Sequence, residues 1–222
     1  MIATGRHFRY TDLERMTRWL GWLILPPLLL TVRGFVHGLD NYHWLADAPF
    51  SMRLAELPAD VQYSLYVDGL LRLSQITATF VLLNFLCFGW MFIAFRNLIA
   101  MTERRDATMR NSVGILKEIA SGLLTATRML RRLFEGSMHP SQVHLMLRYS
   151  IPACTFSLIV ANVCKIVAVL ELHSAVTVSD WLAGERWMLW AYVFYALLYV
   201  LAWRVATRLE ELQRAAWALQ NH

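Results

Sequence analysis

The sequence predicts an all-α, polytopic membrane protein with four transmembrane helices and an amphipathic cytoplasmic helical segment between the second and third. Three observations carry this reading. Of 222 residues, 57% are hydrophobic and only 17% are charged, with a mean hydropathy of +0.41. Soluble domains run about 45–50% apolar and about 25% charged. The apolar residues gather in runs long enough to cross about 30 Å of hydrocarbon. Lys and Arg, finally, fall overwhelmingly on one side of those runs. The composition excludes a soluble enzyme, a disordered tail and a disulfide scaffold.

The first run is Trp19 to Val36, interrupted only by Arg33. Eighteen residues with both acids and bases precede it, and no small-x-small cleavage site follows, so it reads as a retained helix and not a signal peptide. Pro26-Pro27 frees backbone carbonyls at its middle and is expected to kink it. The second run, Ile76 to Phe95, has no charge. The third, Ser150 to Leu170, has one, Lys165. The fourth, Trp187 to Trp203, is bracketed by Arg186 and Arg204 and is short, so the helix is expected to extend beyond both. The four make a single membrane domain over residues 1–222.

Sixteen Lys and Arg fall in the N-terminal tail, the loop between runs two and three, and the C-terminal tail. The opposite side has three: Arg53, Arg72 and Arg186. The positive-inside rule then puts both termini in the cytoplasm. Eight acids, Asp68 and Glu185 among them, fall in the two outer loops. The net charge of +5 and pI of 9.4 therefore report topology and contact with anionic lipid, not nucleic acid.

The first outer loop, about His37 to Gln75, is too long for a simple turn. Asp60 after Pro58 is a good N-cap, and Val61, Leu65, Leu70 and Leu71 lead from it into run two as a short continuous helix. Trp44 and Trp181 stand where interfacial aromatics are expected. On the cytoplasmic side, residues 106–136 carry an apolar stripe from Val113 to Phe134 at helical spacing. Arg110, Lys117, Arg128, Arg131 and Arg132 occupy much of the remainder. One or two amphipathic helices on the inner leaflet, or against a partner helix, account for that pattern.

Few residues offer chemistry. Cys87, Cys154 and Cys164 sit in apolar runs and read as small hydrophobes. No spacing predicts a metal site, and no cofactor is expected. His37 and His173 lie at the outer ends of runs one and three, where a haem held by both is geometrically conceivable but an ordinary interfacial His is the plainer reading. His139 and His144 are five apart and share no helix face. Lys165 is the most informative residue, because a charge inside a span is costly. It either snorkels to the outer headgroups or lines an outer-facing polar vestibule with Asn162, Arg33 and Asn84. No nucleophile–base–acid pattern, HExxH, GxSxG or phosphate-binding loop occurs, so no enzyme is expected.

Phe88 to Leu98 reads FGWMFIAFRNL, with an aromatic-rich second run ending in Arg96-Asn97-Leu98. With Val113-Gly114 and the Gln-containing basic stretch Arg204 to Gln213, it resembles a bacterial group of four-helix integral membrane proteins, a domain of unknown function. The group tends to have Trp-Phe and Pro in its interfacial segment, where this chain reads ILKEIASGLLTATRML. The resemblance implies a bacterial inner membrane and four helices, and no activity. The first functional expectation is thus a non-enzymatic accessory or scaffold subunit, in contact with lipid and with itself or other membrane proteins. The second is a small oligomeric ion channel or transporter using the polar residues within its spans. The third is a haem-binding electron-transfer subunit.

Overall fold

A computed structural model of the chain describes residues 11–102 and 149–220. They are almost wholly helical, and among the described residues the only β contact is an isolated bridge between Arg53 and Thr177. Helix α1 spans Glu14–Ala46 and α2 spans Ala59–Asn84. A π-helical turn, Phe85–Trp90, joins α2 to α3, Met91–Thr102. Helix α4 spans Ile151–Ser174 and α5 spans Val178–Gln220. Three of these, α1, α4 and α5, are long and apolar enough to cross a membrane. The amphipathic segment 106–136, with His139 and His144, lies outside the described residues.

The helices run further than the apolar runs alone predict. α1 passes without a break through Pro26 and Pro27 and reaches Ala46. The outer loop expected from His37 to Gln75 therefore shrinks to residues 47–58, with one 3₁₀ turn at Leu54–Glu56. Helix α2 does begin near Pro58, but Asp60 lies in its first turn and does not cap it. The uncharged run Ile76 to Phe95 straddles α2, the π-helical turn and α3. Helix α5 opens with a capping box. Thr177 Oγ1 accepts from the Asp180 amide at 3.4 Å, and Asp180 Oδ2 accepts from the Thr177 amide at 3.0 Å.

The described residues divide into two units. One draws on residues 11–23, 81–102, 149–155 and 201–220. In it the Trp90 indole donates to Thr17 Oγ1 at 2.9 Å. Buried Asn97 accepts from the Thr11 amide and donates to the Thr11 carbonyl and to Gln213 Oε1, while Gln213 donates to the Ala94 carbonyl. Gly21 is required by a close approach, since a Cβ there would stand 2.6 Å from the Trp203 ring.

The other unit draws on Ile24–Phe80 and Phe156–Val200. One end is closed by an apolar cluster of Leu45, Leu57, Val61, Val178, Trp181 and Leu182. Trp181 thus belongs to a core and not to an interfacial belt, whereas Trp44 is exposed. Linker 47–58 is tied to the α4–α5 connection by backbone bonds from Leu54 to Val176 and from Val178 to Met52, both at 3.0 Å. Elsewhere the unit reverses the soluble pattern. Helix α2 exposes Tyr63, Tyr66, Leu73 and Phe80 while burying Asp68, Gln75 and Thr79. Water outside would favour the opposite arrangement.

Candidate functional site: an interior polar file

Along α2, Ser64, Asp68, Arg72, Gln75 and Thr79 are spaced by four, four, three and four residues. That spacing puts them on one helix face. At 1.5 Å per residue the row is about 22 Å long, most of the thickness of a bilayer's hydrocarbon, about 30 Å. Every member of the row meets polar partners within the same unit.

At one end, Ser64 Oγ donates to Asn41 Oδ1 at 2.7 Å, and His37 Nε2 lies 3.2 Å from the Ser64 carbonyl. A carbonyl only accepts, so Nε2 carries the proton in this contact. One turn on, Arg72 Nη2 bonds both Asp68 and Glu185. Both carboxylates are 0% exposed. Glycines admit this cluster. A Cβ on Gly38 would collide with Glu185 Oε1, and one on Gly34 would stand 2.8 Å from the Tyr192 ring. Gly34 and Gly38 are four apart, so one face of α1 lets α5 approach its backbone.

The next turn holds the largest network. Gln75 Oε1 accepts from Lys165 Nζ at 3.0 Å, and Gln75 Nε2 reaches Tyr199 Oη at 3.2 Å and Thr31 Oγ1 at 3.4 Å. Thr79 Oγ1 and Tyr199 Oη lie 2.6 Å apart. The Lys165 ammonium also stands 5.0 Å over the Tyr195 ring, a favourable cation–π placement. Tyr195 Oη in turn donates to Asn162 Oδ1 at 3.1 Å.

The residues singled out from sequence separate accordingly. Lys165 and Asn162 come together through Tyr195. Lys165 turns to Gln75. Arg33 is exposed on α1, and Asn84 belongs to the other unit. His37 joins the file at Ser64, while His173 is exposed in the last turn of α4. Cys154 and Cys164 are buried free thiols. Among the described residues no three His, Cys, Asp or Glu side chains could hold a metal ion. Arg110, Lys117, Arg128, Arg131 and Arg132 lie outside the described residues.

Asp68 and Glu185, counted from sequence among the acids of the outer side, are buried within α2 and α5, and Arg72, counted with the outer bases, is half-buried on α2. The Asp68–Arg72 spacing and the polar row along α2 are legible signals. The pairing with Glu185, 113 positions away, is not.

The chain matches no family model, no curated protein and no solved structure. The likeness noted around Arg96-Asn97-Leu98 and Arg204 to Gln213 therefore rests on those residues alone. Asn97 and Gln213 are hydrogen-bonded to each other at 3.3 Å.

Proposed function

We propose that the protein is a multi-pass bacterial inner-membrane protein that moves an ion along the polar file of its Ile24–Phe80 and Phe156–Val200 unit. The observation that carries this reading is Lys165. A lysine that only snorkels keeps its ammonium in the headgroups. Here it bonds Gln75 on a face where polar groups succeed one another for about 22 Å. Charged groups buried within spans are costly, face a bundle interior and mark ion pathways. The ion-translocating reading is thus favoured over the accessory-subunit reading, which gives the file no task.

The proposal includes a fourth span, the continuous stretch through α2, the π-helical turn and α3. Its support is the uncharged run Ile76 to Phe95 and the apolar exterior of α2. Both termini are cytoplasmic, on the strength of the sixteen-to-three division of Lys and Arg. The segment 106–136 lies against anionic lipid through Arg110, Lys117, Arg128, Arg131 and Arg132, each basic group contributing about 1 kcal/mol near such a surface.

Ion flux into proteoliposomes, compared between the wild-type chain and Lys165→Gln at equal protein content, tests the assignment. The file reading expects a changed rate or ion preference in the variant. Equal flux in the two proteins would detach Lys165 from any path.

A further inference from the structure

We propose that the Asp68–Arg72–Glu185 cluster is a proton-binding site, holding one exchangeable proton between its two carboxyl groups. The proposal rests on the ion-translocating reading above and names the ion.

The charge count is the starting point. One guanidinium faces two carboxylates, and a single nitrogen, Arg72 Nη2, contacts both. Arginine does not release its proton in proteins. With both acids ionised the cluster carries one uncompensated negative charge. Asp68 and Glu185 are both buried, so water screens it poorly. Two carboxylates sharing one site resist double ionisation.

The neighbouring elements do not cancel the charge. From α5, Tyr192 is a phenol, neutral at ordinary pH, and Arg186 is exposed and engaged with Tyr42 at 2.8 Å. From α4, the Lys165 ammonium is held by Gln75, and Glu171 is exposed. From α1, the backbone at Gly38 closes on Glu185, and His37 is near enough to Asp68 for their charges to interact. His37 is only half-buried, and its bond to the Ser64 carbonyl is one that a neutral ring also makes.

One oxygen of each acid remains open. Asp68 Oδ1 and Glu185 Oε1 are buried without a hydrogen-bond partner, while the other oxygen of each lies on Arg72. A proton from water added to either open oxygen makes the cluster neutral, and its release restores the single negative charge. No other bond changes. A calcium-like cation would need six to eight oxygens. Here half of the carboxylate oxygens already serve Arg72.

The test is infrared spectroscopy of the purified full-length protein in detergent at neutral pH, where an ordinary carboxyl group, pKa about 4, is ionised. The wild-type protein is expected to show the carbonyl stretch of a protonated carboxyl. Glu185→Gln and Asp68→Asn are each expected to abolish it, because the one remaining carboxylate then pairs with Arg72 as an anion. An isolated neutral acid would respond to only one of the two. His37→Gln is expected to leave the band in place. The wild-type spectrum alone decides whether a protonated carboxyl is present, which keeps the proposal testable should either carboxyl variant fail to assemble. A wild-type spectrum without the band, or a band surviving either carboxyl substitution, would overturn the proposal. The measurement needs no membrane. A missing band leaves ion movement standing, and missing flux leaves the proton site standing.

Discussion

Lys165 Nζ donates to Gln75 Oε1 at 3.0 Å, joining a cation on α4 to an amide on α2. Gln75 is 1% exposed and Lys165 half-buried, so this bond draws the ammonium toward the interior of the unit. Gln75→Leu leaves the ammonium without its oxygen and is expected to cost about 1–3 kcal/mol. Adding Lys165→Met removes the orphaned charge and should recover most of that loss. Thermal unfolding in detergent of the two single variants and the double variant checks it. Additive effects would mean that the two side chains do not interact.

Arg72 has a larger role, because it opposes two buried acids. Arg72→Gln leaves both without their cation, and breaking a buried ion pair in this way costs about 3–5 kcal/mol. Glu185→Gln in the same chain should restore part of the stability, since only one acid is then buried without a cation. The unfolding midpoints of Arg72→Gln and of the double variant give the comparison. A double variant less stable than Arg72→Gln would show that the loss comes from packing instead.

The glycines of α1 are expected to differ sharply from the one in α2. A Cβ at Gly38 meets Glu185, and one at Gly34 meets Tyr192 at 2.8 Å, whereas Gly69 has nothing within 4 Å. Gly34→Ala and Gly38→Ala should each destabilise by about 1–3 kcal/mol through overpacking. Gly69→Ala should be neutral or stabilising, by up to about 1 kcal/mol, because alanine is the better helix former. Thermal denaturation of the three purified variants distinguishes them.

Topology can be read from alkaline-phosphatase fusions. Fusion after Arg53, in the linker between α1 and α2, should give active enzyme. Fusion after Arg128 should not, since that segment carries the basic excess that stays inside. The reverse pattern would invert every assignment of side.

Much of the helical architecture was legible because span length and charge bias are local signals. Trp19 to Val36, Ser150 to Leu170 and Trp187 to Trp203 each lie within one helix apart from Ser150, which just precedes α4. What composition misjudged was the burial of polar residues. Asp68, Arg72 and Glu185 read as residues of the outer side because each is costly to bury alone, and their place in the interior of the unit depends on one another. Lys165 stands out in the sequence as a charge inside an apolar run, but its partner is not visible there. Gln75 stands ninety positions away, and long-range pairing leaves no periodic trace in one sequence. Trp181 misled for a related reason. Its place beside an apolar run suggested an interface, while the apolar cluster that buries it is assembled from three separate stretches of chain.

The central claim is that the file on α2 carries an ion, and flux across proteoliposomes tests it most directly. The account predicts flux by the wild-type protein above that of empty liposomes. Gln75→Leu, which interrupts the file at its middle, should reduce it, while Arg33→Gln, on an exposed face of α1, should leave it unchanged. Wild-type flux no greater than that of empty liposomes would contradict the claim and leave the accessory-subunit reading in its place.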